Sequence, residues 1–113
     1  MASSNFNELT ANELAVQLRN GTISSVDLVR ACLDRIHKRD HIINAWAELN
    51  ETYVVAEANR ADQEIKAGRI RGPLHGIPVG VKDIIDTIDF STQMGSRLFS
   101  GRRPVEDARC VSL

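Results

Sequence analysis

In GPLHGIPVGVKDIID, Gly72 to Asp86, three glycines, two prolines and a single lysine crowd into one short stretch. Lys82 follows the apolar run Ile77–Val81 and precedes Asp83. A lysine set just after a buried strand can be stripped of water. Desolvation and nearby acceptors are what let an amine act as a base near neutral pH. The plainer reading is a lysine whose stem lies along the surface with its head in solvent. Asp83 bears on the choice, because facing Lys82 it would hold the amine charged.

Other chemistries fit less well. A phosphate loop needs Gly-Lys-Ser/Thr opening a helix. Here Asp83 follows Lys82 and Pro78 interrupts, so Gly72, Gly76 and Gly80 read as tight turns and close backbone approach. His37 and His41 are four apart, as metal ligands on a helix can be, but no third ligand at a telling spacing joins them. They read as helix-end histidines facing the dipole, and neither metal nor cofactor is expected. His75 reads as a hydrogen-bond partner of its own Gly-rich loop. Arg97, Arg102 and Arg103 read as a solvated cluster balanced by Glu106 and Asp107. A serine nucleophile needs a base within reach. Ser91, Ser96, Ser100 and Ser112 follow Lys82, and none sits in a Gly-x-Ser-x-Gly elbow. The residues alone offer a candidate base without a convincing nucleophile.

The elements that would position Lys82 begin with a capping box at Thr10–Glu13, a helix carrying Leu14, Val16 and Leu18, and a stop at Asn20–Gly21. Ser24 or Ser25 starts the next helix, with Asp27 in its first turn and Leu28, Val29, Cys32, Leu33 and Ile36 as its stripe. Basic residues His37, Lys38 and Arg39 mark its expected end. Ile42–Leu49 reads as a short strand. Asn50 caps a third helix to about Ala67, closed by Gly68. Residues 1–68 thus read as a mainly helical lead-in. Beyond it, 69–113 read as the lysine loop, strands at Ile77–Val81 and Ile84–Ile88, and a helix starting just after Pro104.

The 113 residues and net charge of −1 suit one small domain or a piece of a larger one. The charge balance gives no reason to expect a nucleic-acid or anionic-membrane partner. Cys32 and Cys110 lie far apart and suggest no disulfide framework. Cys32 reads as a buried free thiol. MASSNFNELT lacks the basic start and apolar run of a secretory signal, and no apolar run is long enough to span a membrane. A soluble protein of the reducing cytoplasm is the expectation.

These segments resemble a known family. GPLHGIPVGVKDIIDT, Gly72 to Thr87, closely resembles the lysine segment of the amidase signature enzymes. LAVQLRNGTISSVDLVRACLDRI resembles their N-terminal helices and INAWAEL their short Asn-Ala-Phe strand. AEANRADQEIKAGRIRGPLHG resembles the helix leading to the lysine loop, STQMGS the Thr-x-x-Gly-Ser stretch, and EDARCVSL the helix after it. The resemblance covers about residues 7 to 113. It implies an α/β fold with a mixed central sheet flanked by helices. This chain would be the N-terminal part of that single domain, mostly helices plus two or three short strands. It implies hydrolysis or transfer of amides by a Ser–Ser–Lys triad without a metal, the substrate being a small-molecule amide. One serine attacks the carbonyl, a second relays the proton, and the lysine is the base; on this resemblance Lys82 is that lysine. Asp83, Thr92, Gly95 and Ser96 match positions of the same pattern and take supporting roles. Both family serines lie in a Gly-Ser-rich segment beyond the lysine, which also forms the oxyanion hole, and the chain reaches Leu113 before it. The missing remainder of the domain is therefore an expected partner. Two alternatives stay open. One is the amide-releasing component of a glutamyl-tRNA amidotransferase, its A-subunit, feeding ammonia to the other subunits. The other is a truncated binding module or remnant.

Overall fold

The computed structural model describes residues 5–113. Met1–Ser4, the start of the stretch read above as lacking a signal, lie outside the described residues. The chain divides into two compact units. One takes in the chain up to Ala45 together with Asn50–Pro78; the other comprises Trp46–Leu49 and Val79–Leu113.

The first unit holds three helices, α1 (Ala11–Arg19), α2 (Ser25–Ile43) and α3 (Glu51–Lys66), after a 3-10 turn at Phe6–Glu8. Each helix starts where a side chain meets the free amides of its first turn. Thr10 and Glu13 form the reciprocal capping box, the Thr10 N–H donating to Glu13 Oε2 at 2.8 Å. The hydroxyl of Ser24 accepts from the Asp27 N–H at 3.0 Å, and Asn50 Oδ1 accepts from the Tyr53 N–H at 2.9 Å. Leu14, Leu18, Ile23 and Leu28 form the buried cluster, with Phe6, Leu9, Cys32, Ile65 and Ile77 packed against it. Full burial of one such leucine favours folding by about 1.5–3 kcal/mol. Cys32 is free and half-buried, and that burial pushes its thiol up from the ordinary range.

Helix α2 overruns its expected end at His37–Arg39. It continues to Ile43 and stops where Asn44 turns left-handed at φ 53°. Asp40 helps the stop, its Oδ1 accepting from the Ala45 N–H at 2.7 Å. His41 is therefore inside the last turn rather than beyond the helix, and Ile42 and Ile43 are helical rather than the start of a strand.

The second unit corrects the sequence reading further. Among the described residues there is no strand, at Ile42–Leu49, Ile77–Val81 or Ile84–Ile88. A strand exists only through the ladder it shares with a neighbour. The apolar β-branched run of this stretch meets no such neighbour among the described residues. The unit has only a 3-10 turn at Arg97–Phe99 and a short helix, α4 (Arg109–Ser112). That helix does not start just after Pro104, as the acidic pair Glu106–Asp107 suggests. Asp107 is engaged elsewhere, its Oδ1 accepting from the Ile88 N–H at 2.9 Å, while the Ala108 N–H donates to the Asp86 carbonyl at 2.8 Å. Those bonds hold the segment out of a helix until Arg109.

Candidate active site

The lysine motif is shared between the units, Gly72–Pro78 belonging to the first and Val79–Asp86 to the second. In the first unit the Gly-rich loop is moored to the start of α2. Ser25, read as a possible cap, is buried instead, and its hydroxyl donates to the Gly76 carbonyl at 2.6 Å. Asp62 of α3 caps α2 alongside Ser24, accepting from the Ser25 N–H at 2.7 Å and the Val26 N–H at 3.1 Å. Gly76 sits at φ +84° with Ile65, Leu18 and Ser25 within 3.4–3.5 Å of where a Cβ would stand. Those are ordinary contact distances, so it is the backbone sign that asks for glycine there.

His75 serves this loop as expected. The Arg71 N–H donates to its Nδ1 at 3.0 Å, which leaves the hydrogen on Nε2, 3.2 Å from the Ala61 carbonyl oxygen. Glu64 Oε2 lies 3.4 Å from that nitrogen and 3.0 Å from Arg71 Nη2. Glu64 Oε2 is buried without an aligned hydrogen bond; its contact with Arg71 is ionic, and the neutral His75 ring lies beside it. Elsewhere His37 Nε2 lies 2.6 Å from Glu51 Oε1, and among the described residues no cluster of three or more His, Cys, Asp or Glu could hold a metal.

In the second unit Lys82 opens a turn, its carbonyl accepting from the Ile85 N–H at 2.9 Å, and the residue is exposed in this chain. Asp83 turns to the segment Ser91–Ser96. Its Oδ1 accepts from the Gln93 N–H at 2.8 Å and its carbonyl from the Met94 N–H at 2.9 Å. Thr92 is fully buried, its N–H donating to the Arg102 carbonyl at 2.9 Å and its hydroxyl reaching the Ile85 carbonyl at 3.4 Å. Met94 and Gly95 are both left-handed, at φ 55° and 65°. The Ser96 hydroxyl accepts from the Leu98 N–H at 3.3 Å and starts the 3-10 turn. Asp83, Thr92 and the Met94–Ser96 turn thus form one hydrogen-bonded patch with the turn that Lys82 opens. The Trp46 ring lies over Gly80, 3.2 Å from where a Cβ there would stand.

Three groups that matter here escape the sequence reading. Arg102 grips Asp86 with both guanidinium nitrogens, at 2.7 and 3.1 Å. That fork holds the Asp86 carboxyl below the usual carboxylate range and raises the guanidinium in turn. Glu48 Oε2 accepts from both the hydroxyl and the N–H of Ser91, at 2.5 and 2.9 Å, and those bonds lower its carboxyl. Arg103 lies 3.6 Å from Glu48 and donates to the Asp89 carbonyl at 2.9 Å. Arg102 and Arg103 are therefore not balanced by Glu106 and Asp107. The available signal is the spacing Asp83, Asp86, Asp89, three acids at intervals of three in a stretch with no helix.

Residues 27–113 match the family model described as Amidase. The chain is 38% identical over 103 residues to the A-subunit of the glutamyl-tRNA(Gln) amidotransferase of Chloroflexus aurantiacus, covering 91% of this chain and 21% of that protein. It is 39% identical over 105 residues to the protein of the same name from Geobacter sp. (strain M21), covering 93% and 21%. A Mycobacterium tuberculosis protein that carries the name amidase AmiD is 33% identical over 105 residues, covering 93% and 22%. The chain thus spans about a fifth of the length of these relatives. The lysine segment and the patch built around it fall wholly inside the matched residues, and this chain belongs to the amidase family.

Proposed function

We propose that the protein hydrolyses or transfers the carbon–nitrogen bond of a small-molecule amide, with Lys82 as the base of a Ser–Ser–Lys triad. The observation that carries this reading is the family match over residues 27–113, which contains the whole lysine segment Gly72–Thr87. In that chemistry a serine oxygen attacks the amide carbonyl. Its proton passes through the second serine to the neutral Lys82 amine. The amine then returns the proton to the departing nitrogen, leaving an acyl-serine that water or another acceptor cleaves. Neither serine is among the residues matched to the family's pattern here, so Lys82 is the member of the triad this chain carries. The two serines, the oxyanion hole and the mixed central sheet belong to the remainder of the domain, for which residues 1–113 are the N-terminal part. Asp83, Thr92, Gly95 and Ser96 support the lysine from the patch described above.

A second reading is favoured by the relatives named as A-subunits of glutamyl-tRNA(Gln) amidotransferase. In that reading the amide is glutamine and the ammonia goes to partner subunits. The setting in either case is the cytoplasm. Among the described residues no helix is long and apolar enough to cross a membrane.

The test is Lys82→Ala in the full-length protein, with ammonia release measured from glutamine and from benzamide, with and without candidate partner subunits. Loss confined mainly to kcat is expected, because the base acts in the transition state. A kcat within a few-fold of the parent would remove Lys82 from the mechanism. Glutaminase activity that appears only with a partner would select the second reading; turnover of benzamide by the isolated protein would select a free amidase.

A further inference from the structure

We propose that Asp83 is the positioning residue of Lys82: the Gln93 amide holds its carboxylate, which fixes the lysine turn and keeps that negative charge off the amine. The inference rests on the reading of Lys82 as base and adds how the base is set.

A carboxylate adjacent in sequence to a catalytic lysine is a hazard. Left free, it pairs with the amine and holds it charged. Here it is engaged. Asp83 Oδ1 accepts from the Gln93 N–H at 2.8 Å, and the Asp83 carbonyl accepts from the next amide, Met94, at 2.9 Å. One residue thus clasps two successive amides ten and eleven positions along the chain. A charged acceptor on a backbone amide is among the stronger hydrogen bonds available to a protein.

The segment it clasps is itself braced. The Thr92 N–H donates to the Arg102 carbonyl, and Gln93 Oε1 accepts from the Gly101 N–H at 3.0 Å. At the other end of the segment, Glu48 accepts from the N–H of Ser91 at 2.9 Å. Met94 offers an independent sign of constraint. It is not glycine, yet it sits at φ 55°, a conformation that persists only where neighbours over-determine it. The bond from its N–H to the Asp83 carbonyl is one of those determinants. The backbone of Lys82, one residue before Asp83, inherits this rigidity. Position matters here because a small displacement of a reacting group costs rate steeply.

The role needs an acceptor oxygen rather than a charge, and this separates it from its rivals. The experiment uses the full-length protein and whichever of glutamine or benzamide the parent turns over, with ammonia release as the readout. Asp83→Ala is expected to lower kcat roughly 100-fold with KM within a few-fold, the scale of a misplaced group. Asp83→Asn keeps an oxygen for the Gln93 N–H. It is expected to restore kcat to within about threefold of the parent, the scale of residual differences in hydrogen-bond strength, with an unchanged pH profile. If Asp83→Ala is not recovered folded, Asp83→Ser, whose hydroxyl stops short of Gln93, replaces it with the same expectation. Lys82→Ala is run beside them. If Lys82→Ala silences the protein while Asp83→Ala stays within a few-fold of the parent, the positioning role is overturned and the lysine assignment stands. Asp83→Asn failing as badly as Asp83→Ala, or shifting the pH profile, also overturns it, because the charge would then be what counts. Activity surviving Lys82→Ala would remove the base itself, a different failure from either.

Discussion

Among the described residues the helical unit hides nine apolar side chains, from Leu14 to Ala61, whereas the buried residues of the second unit are Thr87 and Thr92. The first is ordered by periodic apolar faces meeting across α2 and α3. The second is ordered by charged and polar side chains fastened to backbone: Glu48 to Ser91, Asp83 to Gln93, Asp107 to Ile88, Arg103 to Asp89. Meanwhile Leu98 is 92% and Val105 96% exposed. The difference teaches that a loop region can hold a defined geometry without an apolar centre, provided its hydrogen bonds are directional and cross-linked. Such order should differ from a core in what disrupts it.

The largest effect is expected in the helical unit. Leu28 is 1% exposed, and Leu28→Ala should cost about 2–5 kcal/mol through lost burial and a residual cavity. Thermal or denaturant unfolding followed by helical circular dichroism reads this out. A loss below about 1 kcal/mol would mean the leucine cluster is not what holds the helices, since well-packed leucines cost more than that. Acid should act on the other unit first. The Ser91 bonds hold the Glu48 carboxyl below its ordinary range. A carboxyl that is lower in the folded state binds its proton later than the unfolded chain does. Its contribution is therefore complete above the unfolded value and is lost as pH falls through the folded one. Protection of the Ser91 amide against hydrogen exchange, corrected for intrinsic rates, should fade below about pH 4, the ordinary carboxyl range, while α2 amides keep theirs. Helical amides opening first would break the contrast. The smallest effect is expected at Val105. Val105→Ser should change stability by less than about 0.5 kcal/mol, as for other exposed positions. A larger loss in the isolated chain would show that this side chain is packed in solution.

What can be read from the sequence follows the same division. The capping box at Thr10–Glu13 and the stop at Asn20–Gly21 are signals between near neighbours, and both appear where expected. The end of α2 is harder to place because His37–Arg39 are favourable in a last turn without ending anything, while Asp40 and Asn44 do the stopping. The expected strands fail because a β-branched run is only half of a strand; the partner that completes it cannot be seen in the run. At the site, the order of motifs around Lys82 is legible as a resemblance. The fastening of its loop is not. Ser25 to Asp62 and Ser91 to Glu48 join residues 37 and 43 apart, and no period announces such pairs. Sequence sets Asp83 beside Lys82, its neighbour, when its carboxylate acceptor is needed ten residues on.

Trp46 is the chain's single tryptophan, and its ring lies over Gly80, two residues before Lys82. Intrinsic fluorescence excited at the red edge therefore reports from beside the lysine loop, while α1, α2 and α3 dominate the far-ultraviolet dichroism. The molecule carries its own two-colour readout: one optical signal for each unit, separable in a single cuvette without attaching a label.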